Sequence, residues 1–299
     1  MLNSREIGDL TELSEGDLRL QGPTVLRLLV GAHLRRLREA CGISREDAGY
    51  AIRASHSKIS RMELGRTSLK HNDVADLLTL YGVREAERST VLALTERAGA
   101  GGWWRDYRDV VPDWQEAYLG LEQDAALIRT YEVQLVPQLL QTEDYARTLL
   151  TLGRNEPAEH VERQVAVRMR RRRILDPPAN RKLWVVMDEA ALRRRVGDAA
   201  LMRAQLEHLR QVAELPHVTL QVLTFGAGGH VGNVGPVTML RFAETALEDV
   251  VYLQRLTGAQ YLTKGPDVLA YRDLLNRLVV LAEPATATPA VLRRISAEL

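Results

Sequence analysis

The apolar residues of this chain keep two different periods, and the point where one replaces the other limits what it can fold into. From Pro23 to the stop at Asp176-Pro177-Pro178 they recur at three- and four-residue steps, the spacing of amphipathic helices. From Leu183 onward short β-rich runs take over, at Leu183–Met187, Val218–Phe225, Val237–Phe242 and Val250–Leu253. Helical stretches at Asp188–Arg195 and Ala199–Leu215 separate the runs, and a last one, Asp267–Ala282, follows them. The pattern predicts a multidomain chain, all-α at its N-terminus and then a mixed α/β domain with a small sheet covered by helices.

Length agrees with two domains, since 299 residues are many for one and few for three. No apolar run approaches the roughly 18 residues of a spanning helix, and the acidic start MLNSREIGDLTELSEGD lacks the apolar region of a signal peptide, so the expectation is a cytoplasmic protein without membrane contact. Cys41 is the single cysteine, an inert packing group or a surface thiol, which excludes an intramolecular disulfide and any multi-cysteine metal site. The seven histidines never pair at i,i+4, so no metal site and no cofactor are expected.

Charge is distributed less evenly than its total suggests. Lys and Arg number 40 against 39 Asp and Glu, but residues 22–70 hold ten basic and four acidic groups, net +6. Residues 1–21 hold two basic and five acidic groups, net −3, which leaves −2 for the remainder. A basic stretch of this size is the electrostatic footprint of a polyanion-binding unit.

That stretch reads as a series of short helices. Leu26, Leu29, Val30, Leu34 and Leu37 form one stripe from Pro23 to Ala40, with Arg35, Arg36 and Arg38 off it on what reads as a solvated face, and Gly42 ends the helix. Ser44 with Glu46-Asp47 opens a second helix from Arg45 to about Ile52. Ser55 caps a third that turns Ile59 and Met62 inward and stops at Gly65, while a fourth opens near Asn72 and a fifth spans Val83–Ala98. Ala48 and Gly49 are small enough for the second and third helices to approach closely.

Residues 28–81 resemble the XRE-type helix-turn-helix domain of the phage-repressor class. The segment ISREDAGYAIRASHSKISRMELG, residues 43–65, is similar to its pattern of Ser-x-x-x-Ala-Ala, a turn, and Ser-x-x-x-Ile-Ser-Arg-x-Glu-x-Gly. The resemblance implies that Ser55–Leu64 is a recognition helix for the major groove of double-stranded DNA, with His56, Ser57 and Arg61 at the base-reading positions. Arg61 is the strongest candidate, because a guanidinium can give two parallel hydrogen bonds to guanine O6 and N7. Lys58 and Ser60 beside them are expected at phosphates, Ser55 opens the helix, and Arg45 stands where the class has a phosphate-binding Gln. Glu63 takes a position that is structural in the class, typically bonded to an arginine or a backbone group within the domain. Two departures are Arg53, where the class often has Gly in the turn, and Gly49 in place of Ala.

Beyond Ala98 the chain does not look like a second DNA-binding unit. Gly99-Ala-Gly-Gly102, Trp103-Trp104 and Trp114 mark a junction over 99–114, and 116–131 and the stretch after Thr142 read as helices. The arginines at 163, 168 and 170–173 lie on an amphipathic helix as a wet basic face, which meets solvent, a partner's acids or auxiliary phosphate. The loop Gly226–Gly235 lacks G-x-G-x-x-G and leads into a strand, which disfavours a dinucleotide site; His230 within it is a turn contact or a functional group. Asp188, Glu189, His217 and His230 form no nucleophile elbow, P-loop or metal spacing, so no catalytic residues are expected.

The segments 121–150, 183–194, 215–232 and 249–262 resemble the C-terminal domain of WhiJ-like, antitoxin-like actinobacterial regulators, although Gln254 stands where that group has Glu. The expected layout is a flexible acidic arm (1–21), a helix-turn-helix domain (22–98), the junction (99–114), an α/β regulatory or partner-binding domain (115–285) and a C-terminal helix or tail (286–299). The resemblance implies transcriptional control through a partner; because one such module contacts only a few base pairs, a homodimer on an operator is expected, with no enzymatic activity and a C-terminal domain that senses a ligand or a small protein partner. The alternatives are an antitoxin-like protein that sequesters a small partner and autoregulates its operon, or a ligand-processing enzyme fused to a DNA-binding head.

Overall fold

The computed structural model describes residues 22–152, 156–177, 181–244 and 247–299; the acidic arm predicted at 1–21 lies outside them. The chain forms two compact units, one made of the residues up to Asp106 with Phe242–Glu248 and one made of Tyr107–Arg241 with Asp249–Leu299.

The N-terminal unit contains five helices among the described residues: α1 (Pro23–Ala40), α2 (Arg45–Ala51), α3 (His56–Glu63), α4 (His71–Leu80) and α5 (Glu85–Gly99). The predicted stripe of α1 is buried at Leu26, Leu29, Val30 and Leu34, and α4 buries Val74, Leu77 and Leu78. Gly42, Gly65 and Gly82 all take positive φ just past helix ends, which only glycine does without strain. Arg38 departs from its predicted solvated face: only 6% of it is exposed, because a carboxylate 25 residues further along the chain lies against it.

The second unit is a mixed α/β layer structure built on one six-stranded sheet, whose strand order is β3-β2-β1-β4-β5-β6. Helix α6 (Asp113–Asp124) leads into β1 (Leu127–Glu132). A helix pair, α7 (Glu143–Thr151) and α8 (Ala158–Arg172), carries the chain to β2 (Lys182–Asp188), and α9 (Glu189–Arg193) with α10 (Ala199–Val212) carries it to β3 (Val218–Leu223). These three strands are parallel, as helical crossovers require. β4 (Val237–Arg241), β5 (Val250–Arg255) and β6 (Gly258–Leu262) then extend the sheet antiparallel from β1. The helix α11 (Gly265–Leu281) covers one sheet face with Val268, Leu275 and Leu278 against Tyr131, Val186, Met239 and Val251. The last helix, α12 (Thr288–Ala297), packs on α10, and Thr288 donates from Oγ1 to the Leu220 carbonyl at 2.6 Å, which ties the C-terminus to β3.

Three expectations are corrected. The stretch 116–131 is not one helix, since α6 ends at Asp124 and residues 127–132 form a strand at the centre of the sheet. β6 adds an edge strand that the apolar pattern does not announce. Arg171 is not on a wet face: it is 5% exposed and grips Glu122 of α6 through Nε and Nη2, both at 2.8 Å. Glu122 also accepts from the Tyr118 hydroxyl at 2.7 Å, so this buried pair is hydrogen-bonded on both oxygens.

Candidate nucleic-acid interface

The helix pair α2/α3 is built by caps and a tight turn. The Ser44 Oγ accepts from the Asp47 amide at 3.1 Å and the Ser55 Oγ accepts from the Lys58 amide at 3.2 Å, each satisfying a donor that a helix start leaves open. Between the helices Arg53 holds φ +55°, the single positive φ outside glycine among the described residues. The left-handed turn of the class is therefore kept without its glycine, at a cost of about 1 kcal/mol. Gly49 lets the turn close on α2: the Ala54 amide donates to the Gly49 carbonyl at 2.8 Å, and a Cβ on Gly49 would stand 2.7 Å from the Ala54 oxygen.

Because Ile59, Met62 and Glu63 face inward, the remaining positions of α3 face out. His56, Ser57 and Arg61 are exposed and Ser60 is half-buried. Together with Arg38, Glu39, Arg45 and Glu46 they line a concave cleft of about 580 Å³. Of the seven candidate residues, five meet in this cleft; Ser55 is at the helix cap, and Lys58 turns aside to Asp73, with Nζ 2.6 Å from the carboxylate.

The wall of the cleft is held by one buried acid. Glu63, its side chain 2% exposed, receives Arg38 Nε at 2.5 Å and Nη2 at 3.2 Å, and Arg45 Nε at 3.1 Å. The hydrogen bond to Glu63 raises the pKa of Arg38 above its ordinary value. Arg38 also donates from Nη1 to the Ile43 carbonyl at 2.8 Å, so α1, the start of α2 and the end of α3 are joined through a single guanidinium. Arg45 lines the cleft half-exposed and spends only its Nε on Glu63, so the terminal nitrogens of its five-donor fork make no hydrogen bond among the described residues. Glu39 is held by Arg35 at 2.8 Å, and that hydrogen bond lowers its pKa. The arginine expected at Glu63 is thus present twice over, but sequence reasoning does not single out Arg38 as one of the two, since nothing local to its helix signals a partner on α3.

In the second unit, His230 accepts from the Gly232 amide at its Nδ1, at 3.0 Å, and its Nε2 lies 3.5 Å from Asp188, a turn contact within the Gly-rich loop. Among the described residues no cluster of His, Cys, Asp and Glu could hold a metal, and no helix is long and apolar enough to cross a membrane.

Residues 29–91 match a helix-turn-helix domain, and residues 115–294 match a domain of unknown function, DUF5753. No curated protein and no solved structure gives a significant match. The combination is consistent with an XRE-type helix-turn-helix regulator carrying a WhiJ-like C-terminal domain, and the helix-turn-helix match supports a DNA-binding regulator rather than an enzyme. The longer match spans well over half the chain, which therefore belongs to the DUF5753 family, with a helix-turn-helix domain ahead of the family's own.

Proposed function

We propose that the protein is a sequence-specific, dimeric DNA-binding transcriptional regulator in which α3 reads the major groove and the DUF5753 domain responds to a ligand or protein partner. The observation that carries the reading is the cleft along α3, where Arg61, His56 and Ser57 converge beside Arg45 within a stretch, residues 22–70, of net charge +6. Arg61 supplies the bidentate donor that distinguishes guanine from the other bases. Arg45, anchored through Nε, offers its remaining donors to a phosphate and sets the register of α3 without reading sequence. Lys58 contributes through its charge, since its ammonium already has Asp73 as a neighbour. One such unit covers only a few base pairs, so useful discrimination calls for two copies on half-sites about one helical turn apart.

The test is binding to a duplex selected from a random library, compared with an unselected duplex at fixed salt. Arg61→Ala should weaken the selected complex by about 1–3 kcal/mol and barely affect the other. Arg45→Ala should weaken both and reduce the slope of log K against log salt by about 1. Equal losses for Arg61→Ala on the two duplexes would remove it from base reading. A one-to-one complex of a single chain with the selected duplex would refute the dimer.

A further inference from the structure

Arg129 lies in the middle of β1, in the centre of the sheet, and is only 8% exposed. Its guanidinium makes no hydrogen bond and no ion pair among the described residues and lies over the Trp184 ring on β2, 5.3 Å from guanidinium carbon to ring centroid. That ring is fixed from behind, because Trp184 Nε1 donates to Gln221 at 2.8 Å and the Gln221 amide donates to the carbonyls of Val279 and Glu283.

Two further arginines approach the same sheet face. Arg241 pairs across from Leu127 on β4, so its side chain leaves the sheet on the side of Leu127 and Arg129. Arg272 lies between Val268 and Leu275 on the inward stripe of α11, half-buried and also without a hydrogen bond or ion pair among the described residues. The charges that act on Arg129 are those of Arg241, Asp249 and Arg272. Asp249 is the one acid of the group, and both of its oxygens are taken by Arg241, at 2.7–3.1 Å. Three guanidiniums thus share a single, already committed carboxylate. A buried charge without a counter-charge costs more than stacking on one indole returns, so the arrangement lacks an anion.

We propose that Arg129, Arg272 and Arg241 form an oxyanion site in the DUF5753 domain, taking the carboxylate or phosphate group of a small molecule against the face of Trp184. Guanidinium forks match both groups by bidentate hydrogen bonding. The proposal concerns the second unit and stands independently of the DNA-binding reading.

Calorimetric titration of the full chain without DNA, at constant ionic strength in chloride, separates the two chemistries: inorganic phosphate in one arm, succinate in the other. Saturable binding with one site per chain is expected in at least one arm, weakened at least tenfold by Arg129→Met and several-fold by Arg272→Gln. Arg129→Met should melt at or above the wild-type temperature, since it removes a buried unpaired charge, and this separates loss of the site from loss of the fold. Should Arg129→Met fail to fold, Arg272→Gln decides, and an unchanged affinity overturns the proposal. It is also overturned by the absence of saturable binding in both arms. A signal kept in Arg129→Met but lost in Arg61→Ala would assign the anion to α3 and overturn it equally.

Discussion

Replacing Glu63 by Gln tests whether the cleft is held by the ion triad at its wall. Glu63 and Arg38 have side chains 2% and 8% exposed, so neither charge has water to fall back on. Gln presents one acceptor oxygen and no charge, and it leaves the buried Arg38 with only the exposed Glu39, 3.4 Å from its Nη2, as counter-charge, a change that costs about 3 kcal/mol. Arg45 adds little to this figure, since its side chain is 41% exposed and pairs of that kind are worth about 0–1 kcal/mol. For a helical unit of this size about 3 kcal/mol lowers the melting temperature by roughly 12 °C or more. Hydrogen exchange measured on peptides from α1 and α3 of the intact chain isolates the effect: their opening should rise by roughly 100-fold or more, while peptides from the sheet stay unchanged. The control is Arg38→Met with Glu63→Leu, which removes both charges together and should recover most of the loss. A cost below about 1 kcal/mol for Glu63→Gln would refute the reasoning, as would a double variant as unstable as the single one.

Glu132, at the end of β1, has its carboxyl pushed up to about 7 by burial, against an ordinary value near 4.5. Between those values the folded chain keeps a proton that the unfolded chain has lost, so stability should fall as pH rises from about 4.5 to 7, by up to about 3 kcal/mol. Glu132→Gln should flatten this dependence in urea titrations at pH 5 and pH 8; an unchanged slope would contradict it. Arg171→Met, which strands the buried Glu122, should destabilise the second unit by about 3–5 kcal/mol in the same titrations, and a loss under 1 kcal/mol would show the pair to be dispensable. Arg53→Gly should raise the melting temperature of the N-terminal unit, since it removes about 1 kcal/mol of left-handed backbone cost less the entropy of the added glycine, and a clear fall would mean that Arg53 contributes contacts.

The helix-turn-helix unit is legible in the sequence because its signals are local. Serine caps at 44 and 55, glycines at 42 and 65, and an apolar stripe all act within a turn or two of where they are read. The sheet is harder to read for the same reason reversed. β1 carries Arg129, Thr130 and Glu132 and directly follows a helix, so its six residues show neither an apolar run nor clean alternation; only pairing with β2 and β4, more than 50 and 100 residues away, makes it the centre of the sheet. β6, an edge strand with no buried residue, has still less apolar signal to offer.

Long-range partners also explain the misread arginines, and with them the site that sequence reasoning did not reach. Arg38, Arg129 and Arg171 are the buried arginines among the described residues, and each looks in sequence like a group for solvent. Arg38 is neutralised by Glu63 and Arg171 by Glu122, carboxylates 25 and 49 residues away that no local pattern could assign. By the same physics Arg129 should have an acid of its own, and the chain brings it a tryptophan, two more arginines and one acid, Asp249, whose two oxygens are already held by Arg241. A fold that twice answers a buried guanidinium with a carboxylate of its own, and the third time offers two further guanidiniums and a carboxylate already spent on one of them, leaves that third place to an anion from outside the chain.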